Sequence, residues 1–225
     1  MVKPCVSEFT TRRLSLYLRS LTQLEEMGVE TISSRTLAED LTLTPYQVRR
    51  DLACFGEFGV RGVGYDVKAL RLQIERILGL ERTLKVVILG AGNLGNALAD
   101  YHGFNGDEFE VCALFDVDPE KVGGTTRRGT LIYHLDELAR VARAEGVEVG
   151  IVAVPAEVAQ RVVDRLVEAD IRAVLNFAPV RPQVPDGIRC KSVDLKVELE
   201  SLSFFLAARG LTEETAAVGS TASAR

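Results

Sequence analysis

Cysteine and histidine are scarce in this sequence, which holds four cysteines and two histidines among 225 residues. No two cysteines form a C-x-x-C pair, which argues against a zinc site and against a disulfide framework. We therefore expect no metal site, and the wide spacing of the cysteines fits a reducing compartment. The four cysteines are Cys5, Cys54, Cys112 and Cys190.

Long apolar runs are also missing. No stretch approaches the ~18 apolar residues that are needed to span a bilayer. The N-terminal stretch MVKPCVSEFTTRR is too polar for a secretory signal peptide. We therefore expect a cytoplasmic protein. Since 47% of the residues are hydrophobic, the chain has enough apolar material for one large or two small domains with buried cores.

An excess of positive charge, which is typical of proteins that bind nucleic acid, is absent as well. The net charge is −5, but its distribution is uneven. Residues 1–80 carry 11 basic and 10 acidic side chains, whereas residues 81–225 carry 16 and 22. Any DNA binding must therefore depend on a local patch, which a dimer would present twice.

Residues 1–80 have the pattern of a winged helix-turn-helix domain. The first helix carries an apolar stripe at intervals of three and four residues and ends at Gly28. A second helix, SSRTLAEDL, is capped by Ser33 or Ser34, and a linking helix, DVKALRLQIERILG, ends at Gly79. Before the linking helix, EFGVRGVGY predicts a two-stranded ribbon. The stripe of the first helix consists of Leu14, Tyr17, Leu18, Leu21 and Leu24.

The third helix of this domain has the sharpest start in the sequence. Thr44 is an N-cap residue of the preferred type, and Pro45 occupies the first helical position. Gln47 stands where its side chain completes a capping box. Gly56 is the predicted end of the helix. The inward face is expected to carry Val48, Leu52 and Phe55.

The opposite face of the third helix suits a DNA major groove. It carries Tyr46 and Arg50, with Gln47 and Arg49 at its flanks. Arginine binds guanine O6 and N7, and glutamine binds adenine. Arg61, among glycines at the ribbon tip, would reach the minor groove or a phosphate. The alternative interpretation is a solvated helix face in a helical dimerisation module.

From Leu84 onward, short apolar strands alternate with helices. The strands LKVVIL, EVCALFD, VEVGIVAVP and RAVLNFAP have the composition of strands that are buried on both faces. This pattern predicts an α/β fold, a Rossmann-like doubly wound parallel sheet, over residues 81–193. Residues 194–208 are predicted to form a last helix, and residues 209–225 a disordered tail.

A G-x-G-x-x-G motif joins the first of these strands to a helix. Gly90 permits a tight turn, Gly92 lets the backbone approach a pyrophosphate, and Gly95 lets the helix and strand pack closely. The helix N-terminus adds N–H groups and the positive end of the helix dipole. The candidate cofactor-binding turn is Gly90, Ala91, Gly92, Asn93, Leu94 and Gly95.

An acidic residue stands where this motif requires one. Asp116 ends the second strand, 21 residues after Gly95, which is the position of a carboxylate that binds the ribose hydroxyls of a dinucleotide. Because a carboxylate there would repel a 2′-phosphate, NAD(H) is favoured over NADP(H). The alternative is a glycine-rich turn that binds nothing, and Asp116 does not exclude ADP-like ligands.

Taken together, the motifs resemble the Rex family, bacterial redox-sensing transcriptional repressors. The matching pieces are TPYQVRRDLACFGEFGVRGVGY, GAGNLGNALADYHGF, FDVDPEKVG, NFAPV and SVDLKVELESLSFFL, which follow the family order across residues 10–208. The resemblance implies a homodimer whose two winged helices read a near-palindromic operator and whose last helix crosses into the partner subunit. It also implies that NADH releases the DNA, whereas NAD⁺ competes with NADH but permits DNA binding.

The resemblance extends the two candidate sites. Its first piece includes Thr44, Gly62 and Tyr65 in the DNA-binding site, together with the arginines already named. The NFAPV piece brings Asn176 and Phe177 to the cofactor-binding site.

A switch is also implied by the resemblance. Tyr101 and Asp194 resemble a polar pair near the nicotinamide, and Arg19 resembles an arginine of the first helix that bonds this aspartate in one state. Leu195 follows Asp194 where some members have an aromatic residue. Thr42 lies in the turn between the second and third helices, where glycine is frequent, so this turn is expected to do without a left-handed glycine.

Two other classes of function stay open at this point. A small NAD-dependent dehydrogenase needs an acid or base beside the nicotinamide, but the chain has only His102 and His134, no Y-x-x-x-K pair and little room for a substrate domain. The other class is a non-enzymatic regulatory module that binds a nucleotide or CoA and carries a helical dimerisation domain.

Overall fold

The structure is a computed structural model, which describes residues 6–60 and 62–207. The chain divides between Thr83 and Leu84 into two compact units. The boundary predicted from the sequence, at residue 80, lies three residues earlier. Each unit has its own hydrophobic core.

The described residues of the first unit form four helices and a short antiparallel sheet. The two strands, β1 (Thr31–Ile32) and β2 (Tyr65–Asp66), pair with each other. The four helices enclose one core, which confirms the apolar stripe predicted for the first of them. They are α1 (Glu8–Glu26), α2 (Ser34–Asp40), α3 (Pro45–Ala53) and α4 (Val67–Leu78).

Local signals explain where these helices begin and end. The hydroxyl of Ser33 accepts a hydrogen bond from the Thr36 N–H and caps α2, and Thr44 caps α3 in the same way. Gly79 follows α4 in the left-handed conformation, as predicted. The predicted end of α3 at Gly56 is wrong, because the helix stops at Ala53.

The turn between α2 and α3 contains an unusual backbone conformation. Thr42 has φ 55°, in the left-handed region that a β-branched residue rarely adopts. The Thr42 N–H donates to the Glu39 carbonyl at 3.3 Å and the Leu43 N–H donates to the Ala38 carbonyl at 2.8 Å, so α2 ends in a Schellman motif. The turn therefore keeps the geometry that glycine usually provides, and threonine adopts it.

The glycine-rich wing differs from the predicted two-stranded ribbon. It is a tight loop with one antiparallel bridge, between Val60 and Gly64, and its next residues belong to β2. The Val60 carbonyl accepts hydrogen bonds from the N–H groups of Val63 and Gly64, both at 3.0 Å. Positive φ values at successive glycines turn the chain too tightly for a longer ladder. Arg61 lies outside the described residues.

The second unit is a six-stranded sheet whose neighbouring strands are all parallel. The strand order is β5-β4-β3-β6-β7-β8, so the chain proceeds outward in one direction from β3 and in the other direction from β6. The four central strands are those predicted from the sequence, whereas the two edge strands were not predicted. The strands are β3 (Leu84–Leu89), β4 (Phe109–Asp116), β5 (Ile132–His134), β6 (Val149–Val152), β7 (Ala173–Asn176) and β8 (Arg189–Ser192).

Helices cover both faces of the sheet, as a doubly wound fold requires. Val86 and Ile88 pack into a cluster on the side of α5 (Asn93–Asp100). Val87 and Leu89, which alternate with them, pack into the cluster that includes α6 (Leu138–Glu145) and α7 (Ala156–Glu168). Burial on both faces explains why the β3 sequence is continuously apolar.

The chain is helical from residue 195 to the last described residue, 207. Many large apolar side chains of this terminal helix are exposed in the single chain, Phe204 at 77%. The predicted disordered tail lies outside the described residues. Among residues 6–60 and 62–207, no helix combines the length and apolar character that crossing a membrane requires.

Candidate cofactor and DNA-binding sites

The glycine turn after β3 is shaped by close backbone contacts. Gly90 has φ 104°, and a Cβ atom there would lie 2.4 Å from the Ala153 carbonyl oxygen. A Cβ at Gly95 would lie 1.8 Å from the Gly90 carbonyl oxygen, so α5 packs on this turn too closely for any side chain. A Cβ at Gly92 would meet nothing within 4 Å. Of the three glycines of the motif, Gly92 is therefore the one that leaves space for an approaching ligand.

The N-terminus of α5 points out of this turn. Gly92 is the N-cap and provides no side-chain acceptor, and Asn93 and Leu94 form the exposed first turn. The first N–H groups of a helix have no acceptor within the helix, and they carry the positive end of its dipole. Since β3 and β6 lead the chain in opposite directions, the turn also lies at the topological switch point, where doubly wound sheets bind their ligands.

Asp116 stands beside this turn at the end of β4. One of its oxygens accepts hydrogen bonds from the Ala91 N–H at 2.8 Å and from Lys121 Nζ at 3.1 Å. The other accepts from the N–H groups of Val117 at 2.8 Å and Asp118 at 3.0 Å. Burial alone would raise the pKa of Asp116, but these bonds outweigh it and the pKa is lowered. The carboxylate is therefore ionised and partly neutralised by a lysine.

Tyr101 is separated from the glycine turn by the full length of α5. The helix has 8 residues and is therefore about 12 Å long. Tyr101 follows its last residue, is exposed, and its ring stacks edge to face on Phe104 with centroids 5.2 Å apart. Its hydroxyl is thus available to a ligand or to another subunit.

Asn176 is used for structure. Its side chain is fully buried at the end of β7, where its amide nitrogen donates to the carbonyls of Ala178 at 3.1 Å and Val180 at 2.7 Å and to Ser192 Oγ at 3.1 Å. Its amide oxygen accepts from the Ala178 N–H at 3.0 Å. These bonds fix the loop after β7 and leave the Asn176 side chain no surface for a cofactor. Phe177 packs, half-buried, against the core on the α5 side of the sheet.

Asp194 caps the terminal helix. Its Oδ1 accepts hydrogen bonds from the N–H groups of Lys196 at 2.9 Å and Val197 at 3.4 Å. A cleft of 430 Å³ beside it is lined by the loop after β7 and the first turn of this helix, including Val180, Arg181 and Asp194. Arg19 belongs to the other unit, where it is exposed on α1.

The outer face of α3 carries the predicted DNA-contacting side chains at its surface. Tyr46 is 65% exposed, and Arg49 and Arg50 are exposed as well. Arg49 Nη1 donates to Ser34 Oγ at 2.9 Å, which holds this guanidinium against α2. Thr44 uses its hydroxyl to accept from the Gln47 N–H at 3.2 Å.

Two other wing residues, Gly62 and Tyr65, were predicted to contact DNA, and one of them lies at the surface. Gly62 is exposed, has φ 87°, and a Cβ there would meet nothing within 4 Å. Tyr65 is only 8% exposed and belongs to the core of the first unit. The tyrosine side chain therefore supports the base of the wing and does not lie on the surface that faces outward from α3.

The third helix, α3, also carries a buried carboxylate. Asp51 is 2% exposed, and its two oxygens accept from Arg13 Nε at 2.5 Å and Arg13 Nη2 at 2.8 Å. Tyr17 Oη donates to it at 2.8 Å and Gln47 Nε2 at 2.7 Å. The predicted capping box is therefore only half formed, because the Gln47 side chain turns to Asp51. Within the described ranges, no group of three or more His, Cys, Asp or Glu side chains is placed to hold a metal ion.

Known proteins resemble both units of the chain. Residues 5–53 match a family model described as putative DNA-binding protein N-terminus, and residues 81–180 match the CoA binding domain. The redox-sensing transcriptional repressor Rex of Desulfitobacterium hafniense is 46% identical over 204 residues, which is 91% of this chain and 97% of that protein. The chain belongs to the Rex family. The Rex relative from Carboxydothermus hydrogenoformans is 47% identical over 199 residues, 88% of this chain and 95% of that protein.

Solved Rex-family structures share the fold. The structure of RSP in complex with β-NAD⁺ and operator DNA has a TM-score of 0.87 and 36% identity, and the match covers 94% of this chain and 97% of that one. RSP in complex with β-NADH has a TM-score of 0.83 and 35% identity over 94% of this chain and 99% of that one. The match to the Rex family thus spans both units.

Two residues of this Rex-family chain were missed by sequence reasoning. Lys121 lies five positions after Asp116 in FDVDPEKVG and pairs with its carboxylate. A basic residue so soon after the acid was the sequence signal that could have predicted this pair. Asp51 follows two arginines, and this sequence context predicts an exposed charge. Nothing in the local sequence indicates that Arg13, 38 positions earlier, pairs with it.

Proposed function

We propose that this chain is a redox-sensing transcriptional repressor that binds operator DNA as a homodimer in the cytoplasm and is released from it by NADH. One observation supports this most directly. A single Rex-family chain combines a winged-helix unit, whose α3 carries exposed arginines, with a parallel sheet that carries a dinucleotide-binding turn. The protein acts as a sensor of the NADH/NAD⁺ ratio and not as an enzyme.

The DNA-binding surface is the outer face of α3 together with the wing. Arg50 and Gln47 face base edges in the major groove, Tyr46 and Arg49 contact the backbone beside them, and Arg61 enters the minor groove or binds a phosphate. Gly62 gives the wing the room to approach, and Thr44 holds the start of α3. Since the charge of one unit is close to balanced, strong binding requires two such surfaces in a dimer.

The cofactor lies across the carboxyl end of the sheet. Its pyrophosphate is bound over Gly92 by the N–H groups at the start of α5, which include those of Asn93 and Leu94. Its adenosine ribose lies against Asp116 and Lys121. A carboxylate in this place disfavours a 2′-phosphate, so the ligand is NAD(H) and not NADP(H).

The terminal helix provides the dimer contact. Apolar side chains surround it, and in the single chain they are exposed to water, which costs roughly 25 cal/mol per Å². We assign this helix to a position across the partner subunit, where the apolar surface would be buried. The exposed apolar residues are Leu195, Val197, Leu199, Leu202, Phe204, Phe205 and Leu206.

The switch consists of Tyr101, Asp194 and Arg19. Asp194 caps the terminal helix, so any change in its partners acts on the dimer contact directly. With the reduced nicotinamide bound, Asp194 pairs with Tyr101 near the ring, and without it Asp194 bonds Arg19. The loop fixed by Asn176 forms one wall of this region, with Phe177 behind it.

A gel-shift titration tests the proposal. The purified protein is expected to shift a palindromic duplex selected from a randomised pool, and micromolar NADH is expected to abolish the shift at concentrations where NAD⁺ does not. CoA and ADP serve as competing ligands, because the second unit matches the CoA binding domain. Release by CoA alone would contradict the cofactor assignment, and turnover of NADH with added carbonyl compounds would support the dehydrogenase alternative.

A further inference from the structure

Asp51 holds the Gln47 side chain in one orientation. The carboxylate belongs to α3 itself and is buried, and each of its oxygens already accepts a hydrogen bond from Arg13. The Gln47 amide approaches Oδ1 at 2.7 Å. A carboxylate whose pKa is lowered can only accept, so the group of Gln47 that faces Asp51 must be the NH₂.

The orientation of the amide decides which group of Gln47 remains for a ligand. With its nitrogen bonded to Asp51, the amide is left with its oxygen for a ligand. Gln47 is half-buried at the wall of a 350 Å³ cavity on the surface of the first unit, and Arg50 lines the same cavity. The two side chains are three positions apart on α3 and therefore lie on neighbouring parts of one face.

We propose that Asp51 is a positioning residue that fixes the amide of Gln47 so that its oxygen accepts a hydrogen bond from the exocyclic amino group of adenine or cytosine in the operator. In the major groove, adenine N6 and cytosine N4 are donors, whereas guanine O6 and thymine O4 are acceptors. Arg50, which only donates, reads a guanine beside that base. The inference rests on the proposed function, since it needs α3 to lie in the groove.

The Gln47 contact is not required to satisfy the buried carboxylate. If the Gln47 amide is removed, Oδ1 keeps the Arg13 bond at 2.8 Å, and Oδ2 keeps those from Arg13 and Tyr17. A purely structural role for Gln47 therefore predicts a change in stability and no change in base preference. The proposal predicts a change in preference at one base pair of each half-site.

The test measures affinity for a set of operators. A duplex that the wild-type protein selects from a randomised palindromic pool is varied to all four base pairs at each position of the half-site, and binding is measured by fluorescence anisotropy. At one position, the wild type is expected to favour the base with an amino group by about tenfold. Gln47→Met is expected to reduce that preference below about twofold and to leave the preferences at other positions unchanged. Gln23→Met, at an exposed glutamine of α1, is the control and is expected to retain every preference.

Asp51→Asn tests the positioning role. Because asparagine can donate as well as accept, Gln47 is then able to turn its nitrogen outward, and guanine or thymine should become acceptable at the same position. If Asp51→Asn does not fold, as judged by circular dichroism, the Gln47→Met result decides alone. A preference that survives Gln47→Met overturns the inference while the proposed function stands. A wild-type protein that selects no duplex overturns both.

Discussion

At the scale of single residues, Lys121 weakens the preference for NAD(H) that Asp116 alone predicts. The lysine bonds the carboxylate at 3.1 Å, so the local charge that meets a 2′-phosphate is smaller than the acid alone would give. In the proposed site, selectivity for NAD(H) over NADP(H) therefore depends on the balance between the two side chains.

Replacing Lys121 by methionine should sharpen this selectivity. With the carboxylate uncompensated, NADPH affinity should fall more than NADH affinity, and their ratio should change by about tenfold, which corresponds to about 1.4 kcal/mol. Calorimetric titration with both cofactors measures the ratio. Lys68→Met, at an exposed lysine of α4, should leave it unchanged, and a ratio equal to that of the wild type in Lys121→Met would show that Lys121 does not face the ribose.

The glycines of the turn should respond to alanine in two different ways. Gly92→Ala adds a methyl group in open space, so the protein should melt like the wild type and lose NADH affinity. Gly95→Ala forces α5 away from the Gly90 carbonyl and should also destabilise the unit by about 1–3 kcal/mol. Calorimetric melting and NADH titration separate the two effects. Gly106→Ala, also in open space, is the control, and full NADH affinity in Gly92→Ala would place the pyrophosphate elsewhere.

Asp51 should make the first unit sensitive to acid. Burial would raise the pKa of Asp51, but hydrogen bonds from Arg13, Tyr17 and Gln47 lower it below the usual value of about 4. The carboxylate therefore stabilises the fold above that value, and the contribution is lost as the pH falls through the folded pKa.

Asp51→Asn is accordingly expected to lower the free energy of unfolding by about 3 kcal/mol at pH 7, with a smaller difference from the wild type as the pH approaches 2. Urea unfolding at a series of pH values measures this. Asp186→Asn, at an exposed aspartate, should change little. A difference that is independent of pH would show that the ionised form of Asp51 is not what matters.

At the scale of elements, the helices and central strands follow from the sequence, whereas the wing and the sheet edges do not. Helix caps and apolar periodicity act within a few residues, so Thr44, Ser33 and Gly79 mark their positions by local chemistry alone. The edge strands β5 and β8 are short and partly exposed, and they are strands only because a neighbouring strand offers hydrogen bonds. The partner of β2 is β1, more than thirty residues earlier, and no local pattern indicates it.

The turn between α2 and α3 offers a prediction at this scale. Thr42 holds a left-handed conformation that costs a β-branched residue roughly 1–2 kcal/mol. Thr42→Gly should relieve this strain, and since glycine also increases the entropy of the unfolded chain, the net gain should be about 1 kcal/mol. Thermal melting measures it. Thr22→Gly, in the interior of α1, is the contrasting variant and should destabilise by a similar amount. A lower melting temperature for Thr42→Gly would show that the threonine makes a compensating contact.

At the scale of the whole molecule, the parts of the proposed site differ in how far the sequence alone predicts them. The glycine turn and Asp116 were located from the sequence because both lie in one strand-helix-strand unit with fixed spacing. The pairing proposed for Arg19 and Asp194 has no such local signal, because the two residues belong to different units, and the sequence suggests the pair only through the resemblance to the Rex family.

The terminal helix should control assembly. Replacing Phe205 by glutamate places a charge in the proposed dimer contact, so the protein should become monomeric and lose about a hundredfold or more in operator affinity. Sedimentation and anisotropy measure the two effects. Leu131→Glu, an exposed leucine in the second unit, is the matched control and should remain dimeric. A dimeric Phe205→Glu protein would assign the contact to another surface.

The uncovered apolar side chains of this helix have a consequence for the cell. A chain that is not bound to the proposed partner subunit exposes Phe204, Phe205 and their neighbours. Chaperones and proteases recognise exposed apolar segments of this kind. At low protein concentration more chains would be in this uncovered form, so part of the protein would be lost before the proposed dimer assembles.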